Sequence, residues 1–315
     1  MNLPLIHIGY HKTATSWFQK NFYPYVGNAT YLNRRLVRDV FLNTTALSFD
    51  PAHARKRLVS EERPIICEED MCGHPDNGGL LEALSKDMAY RLHSVYPDAR
   101  IVIFIRNQLD MIRSTYLQYI RAGGTYSLNR FLYPYKPANM YYRRWYKNPR
   151  LTLDHFSYQY LIRHYQNIFG QKNVHVFCYE EFLEDAQGFA EKYASRFDLE
   201  IKFDKLDYAH RNKSLGLISL QLARLLGPFS RWDNPNRLVL LPIIPMGLHK
   251  AALKAFNKTF LAGPQITSRQ LFGKRLYADL QYRYATGNEE LAKELGLPLA
   301  RYDYPMTTAD RESPL

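Results

Sequence analysis

Cysteine is scarce. Cys67, Cys72 and Cys178 are the only three in the chain, too few for a disulfide scaffold and not at metal-ligand spacing. Cys67 and Cys72 stand five apart with no second His/Cys pair, which argues against structural zinc and leaves buried, reduced thiols as the expectation. Long apolar runs are missing too. The longest, Leu238 to Met246, is broken by Pro242 and Pro245 and is too short to span a bilayer. Met1 to Gly9 lacks the basic start of a secretory signal and runs directly into a polar loop. The expectation is a soluble or peripheral cytoplasmic protein, at most one at the inner face of the membrane. No internal repeat or low-complexity tract is present.

Negative charge is the scarcer sign. Lys and Arg number 42 against 30 Asp and Glu, a formal excess of +12. That excess suits nucleic acid, an anionic membrane, or a ligand that carries phosphates. With 315 residues, 46% hydrophobic and 14% aromatic, the chain can bury a large core, so wholesale disorder is excluded. The length fits two domains, or one α/β domain with insertions.

Four segments read as strands. They are Leu3 to Gly9, Pro64 to Glu68, Arg100 to Ile105, and Asn173 to Tyr179. Helices are expected over Trp17 to Phe22, over Leu80 to Val95, and from Asn107, as N-cap, to about Arg121. In the last, Leu109, Ile112, Tyr116 and Ile120 keep helical spacing. Strand–helix alternation predicts an α/β fold of three layers, α/β/α, with a central, mostly parallel sheet and helical insertions. Ligands of such sheets bind beyond the carboxyl ends of the strands. The polar residues expected there are Lys12 to Ser16, Glu68 to Asp70, and Arg106.

Gly9-Tyr-His-Lys-Thr-Ala-Thr-Ser16 joins the first strand to a helix, where backbone N–H groups can hold an anion. Lys12 adds a charge, and Thr13, Thr15 and Ser16 add hydroxyls. The loop lacks the second glycine and the Gly-Lys-Ser/Thr ending of the nucleoside-triphosphatase loop.

His11-Lys-Thr-Ala-Thr-Ser16 after a first strand resembles the 5′-phosphosulfate loop of sulfotransferases that use PAPS (3′-phosphoadenosine 5′-phosphosulfate). Arg106, at a strand end, and Ser114, eight residues on, resemble that family's 3′-phosphate pair. A guanidinium and a hydroxyl so placed can converge on one phosphate. Phe177-Cys-Tyr-Glu-Glu-Phe182, Arg211-Asn-Lys-Ser214 and Asn288-Glu-Glu-Leu-Ala292 also look like bacterial, carbohydrate-sulfotransferase-like members. The resemblance runs from about residue 3 to 297, with a poor match at 220–275. Ala14 stands where the family commonly has glycine, and the loop can still close around a phosphate there provided that its φ is negative.

The resemblance implies one P-loop-like domain over 1–315. It would carry an acceptor-cleft or cap insertion at 123–170 and an apolar-basic insertion at 230–275. It also implies in-line transfer of a sulfuryl group from PAPS to an acceptor hydroxyl or, less favoured, an amine, leaving adenosine 3′,5′-bisphosphate (PAP) and needing no metal. Lys12, Thr13, Ala14, Thr15, Ser16, Arg106 and Ser114 would hold the donor, with Arg211, Asn212 and Ser214 closing over it. Lys12 would neutralise the leaving phosphate oxygen.

Glu69 is the first candidate for the base, on the reasoning that burial beside other carboxylates raises its pKa, with His11 and His74 as alternatives; a helix N-cap or a salt-bridged loop is an equal reading of the same acidic cluster. His7 reads as a core histidine, and Glu180 as structural. Two other readings stay open: a kinase-like phosphoryl transferase, and a basic nucleic-acid-binding protein. The first lacks Gly-Lys-Ser/Thr and a Mg²⁺-binding aspartate, and the second lacks a recognised binding motif. Lys250, Lys254 and Lys258 form one stripe of a helix beside the apolar run. Two readings of 238–260 stand equal: a peripheral membrane contact, which would favour a glycan or glycolipid acceptor and ranks ahead of nucleic acid, and an ordinary surface helix packed on an apolar hairpin or a dimer contact.

Overall fold

The segment Ile101–Ile105 is buried to its last side chain, as a strand covered on both faces must be. Ile101, Ile103 and Ile105 enter one apolar cluster, while Val102 and Phe104 enter another. This is the two-residue alternation of a pleated strand. Leu5 and Ile6, and likewise Ile65 and Ile66, divide between the same two clusters. The sheet therefore lies between two helical layers, and the fold is three-layer α/β/α.

The computed structural model describes residues 3–58, 63–75, 78–134, 150–208, 215–231 and 237–307. Its strands are β1 (Leu5–His7), β2 (Thr30–Tyr31), β3 (Pro64–Cys67), β4 (Arg100–Ile105) and β5 (Val174–Cys178). They form one parallel sheet in the order β2-β3-β1-β4-β5. Leu5 pairs with Ile65 on one side and Arg100 on the other. β2, two residues long, is the strand that sequence periodicity did not announce.

The helices, in chain order, begin with α1 (Thr15–Trp17), α2 (Arg34–Phe41), α3 (Pro51–Leu58), α4 (Gly78–Leu81), α5 (Ala83–Val95) and α6 (Gln108–Arg121). They continue with α7 (Leu128–Leu132), α8 (Tyr158–Phe169), α9 (Tyr179–Glu184), α10 (Ala186–Arg196), α11 (Leu217–Leu226), α12 (Met246–Phe256) and α13 (Ser268–Leu295). Asn107 caps α6 as expected, its side chain accepting from the N–H groups of Leu109 and Asp110 at 3.0 and 3.4 Å. The helix expected over Leu80 to Val95 divides, because Leu80, Leu81 and Glu82 have positive φ and end α4 before α5 begins. α1 is a single turn that widens into a π-turn over Phe18–Phe22. A 3-10 turn at Tyr23–Tyr25 ends it, with Pro24 supplying no N–H donor.

Within the expected cap at 123–170, α8 packs on α5, β4 and β5. It is a crossover helix of the sheet; residues 135–149 lie outside the described residues. No helix among the described residues is long and apolar enough to cross a membrane.

Candidate active site

β1 lies in the middle of the sheet, and its neighbours β3 and β4 leave in opposite directions along the strand order. The crevice at such a reversal, past the strand ends, is where open α/β sheets hold ligands. Three segments meet there: the loop after β1, the acidic run after β3, and Arg106 after β4.

In the loop, Lys12 and Ala14 both adopt left-handed backbone, with φ of 66° and 64°. The condition of a negative φ at Ala14 is therefore not met. Glycine adopts that conformation without strain, and alanine holds it at a cost of roughly 1 kcal/mol. The alternation turns successive N–H groups to one side, the arrangement that cradles anions. Among the described residues, no backbone carbonyl takes an N–H from Lys12 to Ser16.

The hydroxyls divide. Thr13 is fully buried and its hydroxyl donates to the Tyr10 carbonyl, so its side chain serves the turn. Thr15 is buried with an unpartnered Oγ1 among the described residues, and Ser16 is exposed. Lys12 forms no ion pair among the described residues. Burial, reinforced by Arg121 and Arg106 and opposed by Glu69, pushes its pKa down to about 8.

Arg106 is held from three directions. Its guanidinium donates to the Lys12 carbonyl at 3.2 Å and lies 5.1 Å from the Tyr179 ring centre. Its own carbonyl accepts from the Tyr158 hydroxyl at 2.7 Å. Glu180 fixes the next residue, accepting from the Asn107 N–H at 2.9 Å and from the Tyr304 hydroxyl at 2.8 Å, which is the structural role expected of it. The Nε atoms of Arg106 and of Arg113 on α6 are buried without partners among the described residues. Ser114 is half-buried on α6 with no hydrogen bond among the described residues. Arg211, Asn212 and Ser214 lie outside the described residues.

The acidic run after β3 is threaded with arginine. Glu68 is fully buried, and two guanidinium forks share its carboxylate: Arg34 at 3.1 and 3.1 Å, Arg38 at 2.7 and 2.9 Å. Glu69 accepts from Gln19 at 2.7 Å and Arg34 at 3.3 Å through Oε2. The run is thus the salt-bridged loop that was the alternative reading of this acidic cluster, with guanidinium groups offsetting its charge beside Glu69. Asp70 binds Arg38 at 2.9 Å and His11 Nε2 at 2.9 Å. Burial raises its pKa, but the hydrogen bond from His11 and the charges of His11, His74 and Arg38 outweigh that and hold it at about 2.

His11 sits edge-on to His74, with ring centres 5.3 Å apart, and its Nδ1 lies 3.9 Å from Cys72 Sγ. His11, Asp70 and His74 bring ligand atoms within 4.8 Å of one another. Donor atoms around one small cation at ~2.1 Å stand only about 3.0–3.4 Å apart, and Arg38 already shares the carboxylate.

His7 is the core histidine expected. It is fully buried, its Nδ1 lies 2.9 Å from the Tyr23 hydroxyl, and burial lowers its pKa to about 3. Asn288, in the stretch that looked family-like, exchanges bonds with Gln108 at 2.6 and 3.1 Å and so locks α13 to the first turn of α6. Sequence reasoning missed Tyr158, Tyr179, Arg34 and Arg38. The two arginines carried a weak signal, two cations four apart on one helix.

No protein-family model matches the sequence. No curated protein matches it either. Among solved structures, a sulfotransferase from Alicyclobacillus acidocaldarius is 17% identical, over 72% of this chain and 93% of that one, with a TM-score of 0.46. Mouse sulfotransferase SULT7A1, complexed with PAP, is 14% identical, over 94% of this chain and 89% of that one, with a TM-score of 0.41. Likenesses this distant stand beside the site and do not decide it.

Proposed function

We propose that the protein is a sulfotransferase that moves the sulfuryl group of PAPS to a hydroxyl of a glycan or glycolipid. The observation that carries this reading is the loop Lys12–Ser16, with N–H groups that meet no backbone carbonyl among the described residues and two left-handed residues, tied to Arg106 through the Lys12 carbonyl. A nest of N–H groups takes one phosphate, and a guanidinium whose buried Nε has no partner among the described residues, at the neighbouring strand end, suits a second. A donor with phosphates at both ends of one ribose matches that pair.

The chemistry this arrangement supports is positioning and charge stabilisation. The acceptor oxygen attacks sulfur, the bond between sulfur and the phosphate oxygen breaks, and the electron pair stays on that phosphate. Lys12, half-buried beside the nest, neutralises the charge that develops there. Glu69 takes the acceptor proton. It lies close enough to Lys12 to oppose the depression of the lysine pKa, and its Oε1 is uncommitted among the described residues. In His11 the Nε2 is committed to Asp70 and the Nδ1 faces a buried thiol.

Calorimetry with PAP tests the donor site: micromolar or tighter binding is expected, and its absence overturns the reading. A screen of glycan and glycolipid acceptors with labelled PAPS tests the acceptor class. With any acceptor so found, Glu69→Gln is expected to lower kcat about 100-fold or more while PAP affinity holds. Equal loss in His11→Asn with Glu69→Gln unaffected would move the base to His11.

A further inference from the structure

The lobe formed by residues 215–231 and 237–267 is built inside out. α11 turns Ser219, Leu220 and Ala223 inward, but Leu217 and Leu225 stand 44% and 67% exposed. α12 buries only His249 and Leu253. The segment between them is clipped down through its backbone: the N–H groups of Leu240 and Ile244 donate to the carbonyls of Pro228 and Phe229 at 3.0 and 2.8 Å. Below it, the buried Ser230 hydroxyl meets His249 Nδ1 at 2.6 Å. The side chains above point to water, with Leu240 72% exposed and Phe260 92% exposed.

Of the nineteen large apolar side chains exposed among the described residues, twelve lie between Leu217 and Leu261. A soluble surface scatters such residues singly, whereas a concentration of this kind marks a contact face.

Charge identifies what the face meets. From residue 208 to residue 278 the sequence carries eleven Lys and Arg against one acidic residue, Asp233. This short stretch thus holds ten of the twelve charges by which the whole chain exceeds neutrality. Lys254 and Lys258 are exposed on and just past α12, beside the apolar side chains. Protein interfaces are depleted in lysine and balance charge across the contact. Exposed apolar side chains interspersed along the sequence with unbalanced cations instead match a bilayer surface, with hydrocarbon below and phosphates at headgroup depth.

We infer that this lobe docks the protein on an anionic lipid bilayer, with Leu238–Ile243, Met246, Leu248 and Phe260 seated at the acyl boundary and the lysines at the phosphates. The inference deepens the glycolipid reading of the acceptor, for it states where a lipid-linked sugar would be met. A cavity of about 410 Å³ lies between α11 and α6, lined in part by Tyr116, Leu220, Arg224 and Ile266. α6 is the helix that carries Ser114, so the docked lobe and the donor site share a structural wall.

The test is co-sedimentation of the full chain with phosphatidylcholine vesicles, with and without phosphatidylglycerol. Binding is expected only with the anionic lipid, and it should weaken as salt rises. Leu240→Ser/Leu241→Ser and Lys254→Glu/Lys258→Glu, all at exposed positions, should each reduce partitioning about tenfold or more. Both variants should keep wild-type affinity for PAP in solution, a readout that stands or falls with the donor reading and not with this one. No binding to anionic vesicles, or equal binding by wild type and both variants, overturns the inference. So does a wild-type dimer in sedimentation velocity that Leu240→Ser/Leu241→Ser converts to monomer, since the face would then belong to a second copy.

Discussion

The Arg106 guanidinium donates to the Lys12 backbone carbonyl at 3.2 Å, so the strand end that offers one anion contact also shapes the loop that offers the other. Removing Arg106 therefore takes away a charge and slackens the nest. Arg106→Ala is expected to weaken PAP binding by about 10- to 100-fold, the worth of one or two charge-assisted hydrogen bonds. Arg106→Lys should fall between, because lysine restores charge without the fork. Titration calorimetry of the three proteins checks the order.

Lys12 gives opposite signs for binding and stability. Its pKa of about 8 lies below the ordinary 10.5, so between these values the unfolded chain holds a proton that the folded chain has released. Stability then rises with pH through that window. Donor affinity moves the other way, since the loop loses its cation above pH 8. PAP binding measured from pH 7 to 9.5 should decline, and Lys12→Met should flatten the decline while raising Tm at pH 7. A Tm gain of equal size at pH 10.5 would contradict the assignment.

Ala14 holds a φ of 64° against its own Cβ. Ala14→Gly removes about 1 kcal/mol of strain but adds about 0.4–1 kcal/mol of freedom to the unfolded chain, leaving a net gain of at most about 0.5 kcal/mol. Ala14→Val should lose more than this, because β-branched side chains fit left-handed backbone worst. Chemical denaturation midpoints separate the three.

Glu68 is fully buried between two arginines whose side chains are 34% and 41% exposed. Glu68→Gln removes the carboxylate that both guanidinium groups share, yet Arg34 keeps Glu69, Arg38 keeps Asp70 and both can turn partly to water, so the cost should be about 2–3 kcal/mol, below that of a fully enclosed pair. PAP affinity of the folded variant should stay within a few-fold of wild type. A change in affinity without a change in stability would place Glu68 in the binding machinery.

Much of this architecture is legible in the sequence because it rests on local pattern. The all-apolar run before Arg106 announces a strand covered on both faces, and Asn107 followed by Leu109 and Ile112 announces the helix after it. The loop is legible as an anion site, but its backbone is not: alanine at position 14 suggests right-handed geometry, and only packing that outweighs about 1 kcal/mol of strain holds it otherwise. The arginines on Glu68 were hidden for another reason. A carboxylate run shows its charge in the sequence, while its partners come from α2, some thirty residues away, and only the fold brings them in. β2 was hidden because two residues cannot display a period.

Of the five described strands, the one that comes first in sequence lies in the middle of the sheet. β1 has no partner until β3 and β4 exist, and its loop has no Arg106 to lean on until about ninety residues after it have been synthesised. During that interval a buried, apolar strand with two bare edges precedes everything able to cover it. The anion site at the start of the chain is thus among the last features of the sheet to become real, and a chain stopped short of β4 is an aggregation hazard rather than a fragment that binds.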